Sequence, residues 1–192
     1  MTQDQVLELF AKYDAYLEGH FRLTSGLHSP HYFQCAKVLQ HPEAAGKLGS
    51  ELAGRLGELE VDSVLSPAMG GLIIGHELGR ALGKRAIFAE RQEGKMTLRR
   101  FTIEPGERLV VVEDVVTTGG SLLETVKMAE AAGAKVVGTC ALVDRSGDGP
   151  PPVPGLVSLV KADVVTYEPS SCPLCEQGLE LVKPGSRTVA KG

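Results

Sequence analysis

With 192 residues, 43% of them hydrophobic and 23% charged, the chain can bury a core and is predicted to fold as one α/β domain over residues 1–192. A formal net charge of −4, with no basic cluster interleaved with aromatics, argues against a nucleic-acid surface. Residues 1–10 carry acids and no long apolar run, so neither a signal peptide nor a membrane span is expected, and a cytoplasmic location is predicted.

In chain order, residues 4–15 space Val6, Leu7, Phe10 and Ala11 as a helix does, and a peripheral packing helix is expected. Residues 20–26 alternate into a turn and 29–33 return as a second extended piece, which predicts a small antiparallel hood. The hood is placed mainly in 1–40, with C-terminal additions, over a core of about 41–168. Tyr32 and Phe33 at its end can accept a flat ring by offset stacking, or can glue hood to core. Pro42 opens a helix running to Leu59 with Ala45, Leu48, Leu52 and Leu56 on one stripe. Residues 61–66 form the first main strand, and Met69, Gly70 and Gly71 lead from it into a helix over 72–82. The glycine pair can form an amide nest for an anion or can serve a tight turn. His76, inside the helix, is expected to be a packed or surface histidine.

A short strand at 85–89 precedes the hydrophilic stretch 90–100, which holds Arg91, Lys95 and a central Gly94. So polar a stretch buries little and is expected to be mobile. After the Pro105-Gly106 turn, Val110, Val111 and Val112 show no polar alternation and predict a central strand buried on both faces. Glu113 and Asp114 are costly there unless the strand ends at them and they face a ligand at its carboxyl edge. Thr117, Thr118, Gly119, Gly120 and Ser121 then supply hydroxyls and close-approaching amides, ahead of a helix over 122–132 whose dipole favours an anion. No Walker A run is present. Residues 135–143 form the next buried strand, ending at Asp144 and Arg145. Arg145 can fork onto a ligand carboxylate, or pair with Asp144 or Asp148.

One or two last strands are expected in 156–167, followed by Cys172-Pro-Leu-Cys175. A lone CxxC lacks the second pair a structural zinc site requires, so no metal-ligand cluster is expected. With Cys35 and Cys140 these cysteines are too few for a disulfide scaffold and are expected as free thiols. The alternative for Cys172 and Cys175 is zinc, shared across a dimer.

Residues 110–121 resemble the phosphoribosyl-pyrophosphate signature of the type I phosphoribosyltransferases. The resemblance implies a central, mainly parallel sheet flanked by helices, with a hood built from the N-terminal segment. Glu113 and Asp114 would bind the ribose hydroxyls, and the loop entered through Val115 and Val116 and formed by Thr117 to Ser121 would hold the 5-phosphate. Met69, Gly70 and Gly71 match the pyrophosphate loop, in which a strained or cis peptide is often found.

Ser25-Gly26, Ser29-Pro30 and Tyr32-Phe33 resemble the orotate branch, where the aromatic pair lies against the pyrimidine and the residue matching Arg145 binds the orotate carboxylate. Residues 90–100 resemble its catalytic loop, which reaches the neighbouring subunit of a homodimer, so Lys95, Arg91 and Asp114 become the candidate catalytic residues. Three positions depart from the pattern: Thr24 and Gln92 stand where many members carry lysine, and Thr97 stands near a family histidine. The implied reaction joins orotate to phosphoribosyl pyrophosphate, giving orotidine 5-monophosphate and pyrophosphate in pyrimidine synthesis. Mg2+ would be carried by substrate oxygens without a dedicated protein cage. Purine-base transfer and a non-catalytic ligand sensor of the same fold are the alternatives.

Overall fold

The computed structural model describes residues 1–23, 25–147, 153–162 and 165–184. Its elements are α1 (Gln3–Lys12), β1 (Tyr16–Arg22), β2 (His28–Phe33), α2 (Cys35–Leu39), α3 (Pro42–Leu56), β3 (Ser63–Pro67), α4 (Gly71–Leu82) and β4 (Arg85–Gln92). They continue with β5 (Lys95–Thr97), β6 (Arg108–Val116), α5 (Gly120–Ala131), β7 (Lys135–Asp144), β8 (Leu156–Lys161), a 3-10 turn (Pro169–Ser171) and α6 (Pro173–Glu176).

Leu109 to Val112 have no exposed surface because β6 lies inside a six-stranded sheet of order β5-β4-β3-β6-β7-β8. Every pairing is parallel except β4 with β5, which gives the predicted architecture of a mainly parallel sheet flanked by helices. Strand alternation sends Val110 and Val112 to the face packed by Leu48 and Leu52 of α3 and Ile74 and Leu78 of α4. Leu109 and Val111 point the other way, against Leu122 and Ala129 of α5. No helix among the described residues is long and apolar enough to cross a membrane.

β1 and β2 pair antiparallel from Tyr16–Phe33 to Arg22–His28, forming the expected hood hairpin. α1 is not peripheral: Val6 and Phe10 are fully buried in the cluster that also holds Leu159 and Val160 of β8. It starts at a Thr2–Gln5 capping box and ends at Lys12 rather than continuing to Ala15. α3 stops at Gly57, whose φ of 66° suits glycine, short of the predicted Leu59. Among the described residues of the last part of the chain, only β8 joins the sheet. Tyr167 instead bridges His28, and Val182 bridges Phe21, so residues 165–184 lie along the hood.

The stretch 90–100 differs most from expectation. It is a β-hairpin, with Glu93 and Gly94 at φ 49° and 84° turning β4 into β5 in the manner of a two-residue primed turn. Met96 is buried in the core cluster on the α5 face and Leu98 packs against it, so one face of this polar segment is anchored.

Candidate active site

The central strand does not end at its acids. β6 pairs with β3 only as far as Leu65–Val111, but with β7 as far as Val116–Asp144. β3 stops at Pro67, and the chain leaves it through a cis Ala68–Met69 peptide, so one edge of β6 opens at the carboxyl rim of the sheet. Gly70 lies so close to Asp114 that a Cβ would stand 2.5 Å from its Oδ1. A Cβ on Gly71 would meet Ser66 Cβ at 3.0 Å and the Val112 carbonyl at 3.1 Å. Close approach, rather than a positive φ, therefore demands the glycine pair.

Between this rim and the hood lies a cleft of about 750 Å³. Asp114, Val115, Thr117, Thr118, Gly70 and Arg145 from the sheet rim and its loops, with Tyr32 and Phe33 from the hood, line it. A larger depression over α3 and α4 near Glu43 and Arg80 lies on the flank of the fold and receives none of the predicted site residues.

Asp114 accepts a hydrogen bond from the Val115 N–H at 2.9 Å, yet burial still holds its carboxyl above the usual range. Glu113 is pushed up to about 7, first by burial and then by the neighbouring Asp114 charge. Alternation turns Glu113 away from Asp114 toward the α5 face, and it does not line the cleft. The phosphate-loop candidate takes its shape from Gly119, which sits in the left-handed region at φ 72° and caps α5. The first N–H groups of α5 have no intrahelical acceptor, which suits an anion there.

Arg145 is the least compensated group in the cleft. Its Nε is buried with no hydrogen-bond partner, and no ion pair engages it among the described residues. Its guanidinium carbon lies 5.9 Å from the centre of the Phe33 ring. Burial lowers its pKa, while Tyr32 beside it is raised by the same cause. Asp144, one proposed partner, instead accepts the Ser146 N–H at 2.9 Å and hydroxyl at 2.6 Å. Asp148 and Thr24 lie outside the described residues. A half-buried cation with an unpartnered buried Nε at the wall of an open cleft is suited to an anionic ligand.

Arg91 and Lys95 are not brought to this cleft, nor are Met69, Gly71, Val116 or Gly119 to Ser121 part of its lining. Met69 is exposed, and His76 stands on the outer face of α4. Arg91 donates to Gly94 O at 2.6 Å and pairs with Glu124 of α5 at 2.6 Å, while the Met96 N–H bonds the same carboxylate at 2.8 Å. Glu124, which pins the hairpin, escaped the sequence reading because a lone glutamate on a helix carries no signal. Thr166, which also lines the cleft, escaped it because its segment has no regular pattern. Cys172 and Cys175 are free thiols, as expected, and they meet His20 and His28.

A sheet-rim acid beside a hydroxyl-glycine loop, with a glycine-rich loop packed on its carboxylate, is the arrangement of a type I phosphoribosyltransferase. The family model described as phosphoribosyl transferase domain matches residues 36–169. The orotate phosphoribosyltransferase of Heliobacterium modesticaldum is 54% identical over 192 residues, covering 98% of this chain and 100% of that protein. That of Desulforamulus reducens is 50% identical over 190 residues, again covering 98% and 100%. A crystal structure of orotate phosphoribosyltransferase from Aeropyrum pernix superimposes with a TM-score of 0.70 at 25% identity, over 81% of this chain and 93% of that one. The chain belongs to the orotate phosphoribosyltransferase family.

Proposed function

We propose that the chain transfers the phosphoribosyl group of phosphoribosyl pyrophosphate to orotate, releasing orotidine 5-monophosphate and pyrophosphate. A ring nitrogen of orotate attacks the anomeric carbon: the N–C bond forms as the bond to the pyrophosphate oxygen breaks, that oxygen takes the electron pair, and the proton of the ring N–H is released to water. No protein nucleophile is required, so catalysis consists of alignment and of neutralising charge on the leaving group.

The observation that carries this reading is half-buried Arg145, its Nε buried and without a partner, in the cleft that Asp114, Tyr32 and Phe33 also line. Arg145 faces the orotate carboxylate and the two rings flank the pyrimidine. A neutral purine would leave that guanidinium without a counter-charge. Asp114 takes the ribose hydroxyls, whereas Glu113 faces α5 and lies outside the cleft lining. Thr117, Thr118 and the start of α5 hold the 5-phosphate, and the loop of Met69, Gly70 and Gly71 receives the pyrophosphate.

The donor set suits Mg2+ held mainly by substrate oxygens: Asp114 lines the cleft, and among the described residues no cluster of three or more metal-ligating side chains includes it. When bound, the ion would supply charge neutralisation to the pyrophosphate, and Asp114 is the cleft carboxylate that would help hold it.

The working form is a cytoplasmic homodimer. Lys95 is exposed at the tip of the β4–β5 hairpin, away from its own cleft, where a lysine serving a neighbouring subunit belongs. Buried free thiols at Cys35 and Cys140 suit a reducing compartment. To test the reaction, the protein is mixed with Mg2+, phosphoribosyl pyrophosphate and equal amounts of orotate, adenine and hypoxanthine. Orotate alone should be consumed, with pyrophosphate released in equal amount. Consumption of a purine with orotate untouched would overturn the assignment.

A further inference from the structure

His20 on β1, His28 on β2, Cys172 and Cys175 converge at the back of the hood, and their four donor atoms lie within 4.8 Å of one another. Cys175 Sγ is 3.4 Å from His28 Nδ1 and 3.8 Å from His20 Nε2. Cys172 Sγ is 3.6 Å from His20 Nε2, and the two ring nitrogens are 2.9 Å apart. Tetrahedral zinc, with bonds of about 2.0–2.1 Å to nitrogen and about 2.3 Å to sulfur, separates its donors by about 3.3–3.8 Å. The four side chains are thus nearly at coordination spacing, and two thiolates with two imidazoles are a donor set that zinc favours.

Two further features orient the donors. His20 Nδ1 lies 2.9 Å from the Leu179 carbonyl, which can only accept. Nδ1 therefore carries the proton and Nε2 turns its lone pair to the cluster, as a ligating histidine requires. Cys172 caps α6, and its carbonyl accepts the N–H groups of Cys175 at 3.1 Å and Glu176 at 3.2 Å. That turn brings the two sulfurs of the CxxC to one side.

The surrounding segment has little else to hold it. Within described residues 165–184 only Cys172 is buried, and Val165, Leu179, Leu181 and Val182 remain exposed. Backbone bonds between Arg22 and Val182 and between His28 and Tyr167 fasten the segment to the hood, with little apolar burial behind them. We propose that His20, His28, Cys172 and Cys175 bind one zinc ion that staples the C-terminal segment to the hood. Four protein ligands close the coordination sphere, so the ion is structural. It shapes the active cleft from behind: Ser25 and Leu27 lie between the two histidines, Thr166 precedes Tyr167, and all three line the cleft.

The test uses the full chain, purified reduced and without a metal-binding tag from cells grown with added zinc. Elemental analysis should give about one zinc per chain, falling to background in Cys175→Ser and His28→Ala. Cobalt in place of zinc should give the intense visible bands of a tetrahedral site with thiolate charge transfer. Chelation should speed amide hydrogen exchange in 165–184 and 20–28 while leaving α5 unchanged. The proposal is overturned by zinc-replete protein that contains no metal and binds none in titration. It is equally overturned by a Cys172–Cys175 disulfide in the purified chain, or by zinc retained in the Cys175→Ser, His28→Ala double variant. None of these readouts depends on phosphoribosyl transfer, so each reading can fail without the other.

Discussion

Glu113 makes the stability of the rim depend on pH. Its folded pKa of about 7 lies above the ordinary 4.5, so between those values the folded chain keeps a proton that the unfolded chain has released. Stability from this group is complete below about 4.5 and is lost as pH rises through about 7, on the order of 3 kcal/mol in all. Glu113→Gln should flatten that slope: its melting temperature should match the native chain near pH 4.5 and exceed it near pH 8. Parallel melting profiles would show that Glu113 is not desolvated.

Arg145 is the second single-residue case. Loss of a charged hydrogen bond costs about 1.5–3 kcal/mol, so Arg145→Ala should raise the KM for orotate about 10- to 100-fold and leave that for phosphoribosyl pyrophosphate nearly unchanged. An equal rise for both substrates would remove Arg145 from the base site.

Both residues were visible in the sequence, because a charge at the end of a valine-rich strand is costly without a task. His20 was not connected to the cysteines: 152 residues separate it from Cys172, and only the folding of 165–184 back along the hood brings them together.

Among elements, β6 was the easiest to read and its end the hardest. Three consecutive valines state burial on both faces, but where the strand stops depends on its neighbours: β7 continues to Asp144 while β3 turns away at Pro67. Similarly, the Val6 and Phe10 stripe of α1 revealed a packed face without revealing that β8, some 150 residues later, covers it. The β4–β5 hairpin was not foreseen because Glu-Gly is a weaker turn signal than Asn-Gly or Asp-Gly. Its anchoring by Glu124 makes a prediction at this scale. Glu124→Gln weakens the Arg91 pair while keeping the helix, so the amides of 91–97 should exchange about tenfold faster with little change in global melting. Unchanged exchange would mean that the turn itself, and not α5, holds the hairpin in place.

For the whole molecule, Lys95 is not among the residues that line its own cleft, and how many chains make one active site is open to a direct test. Suppose Lys95 of one subunit completes the site containing Asp114 of the other. Lys95→Ala and Asp114→Asn are then each inactive as pure dimers, but a mixed dimer holds one site in which both residues are native. Random reassortment of equal amounts makes about half of all dimers mixed, with one of two sites active in each, so about one quarter of native activity should return. If Lys95 served its own chain, every site in the mixed dimer would lack one residue and no activity would return. Both variants should be unfolded and refolded together and separately, with dimer content checked by light scattering, so that failed exchange of subunits is not mistaken for failed complementation. Recovery near one quarter would establish a site shared between subunits, and its absence from demonstrably mixed dimers would place the hairpin lysine in its own chain's site or outside catalysis.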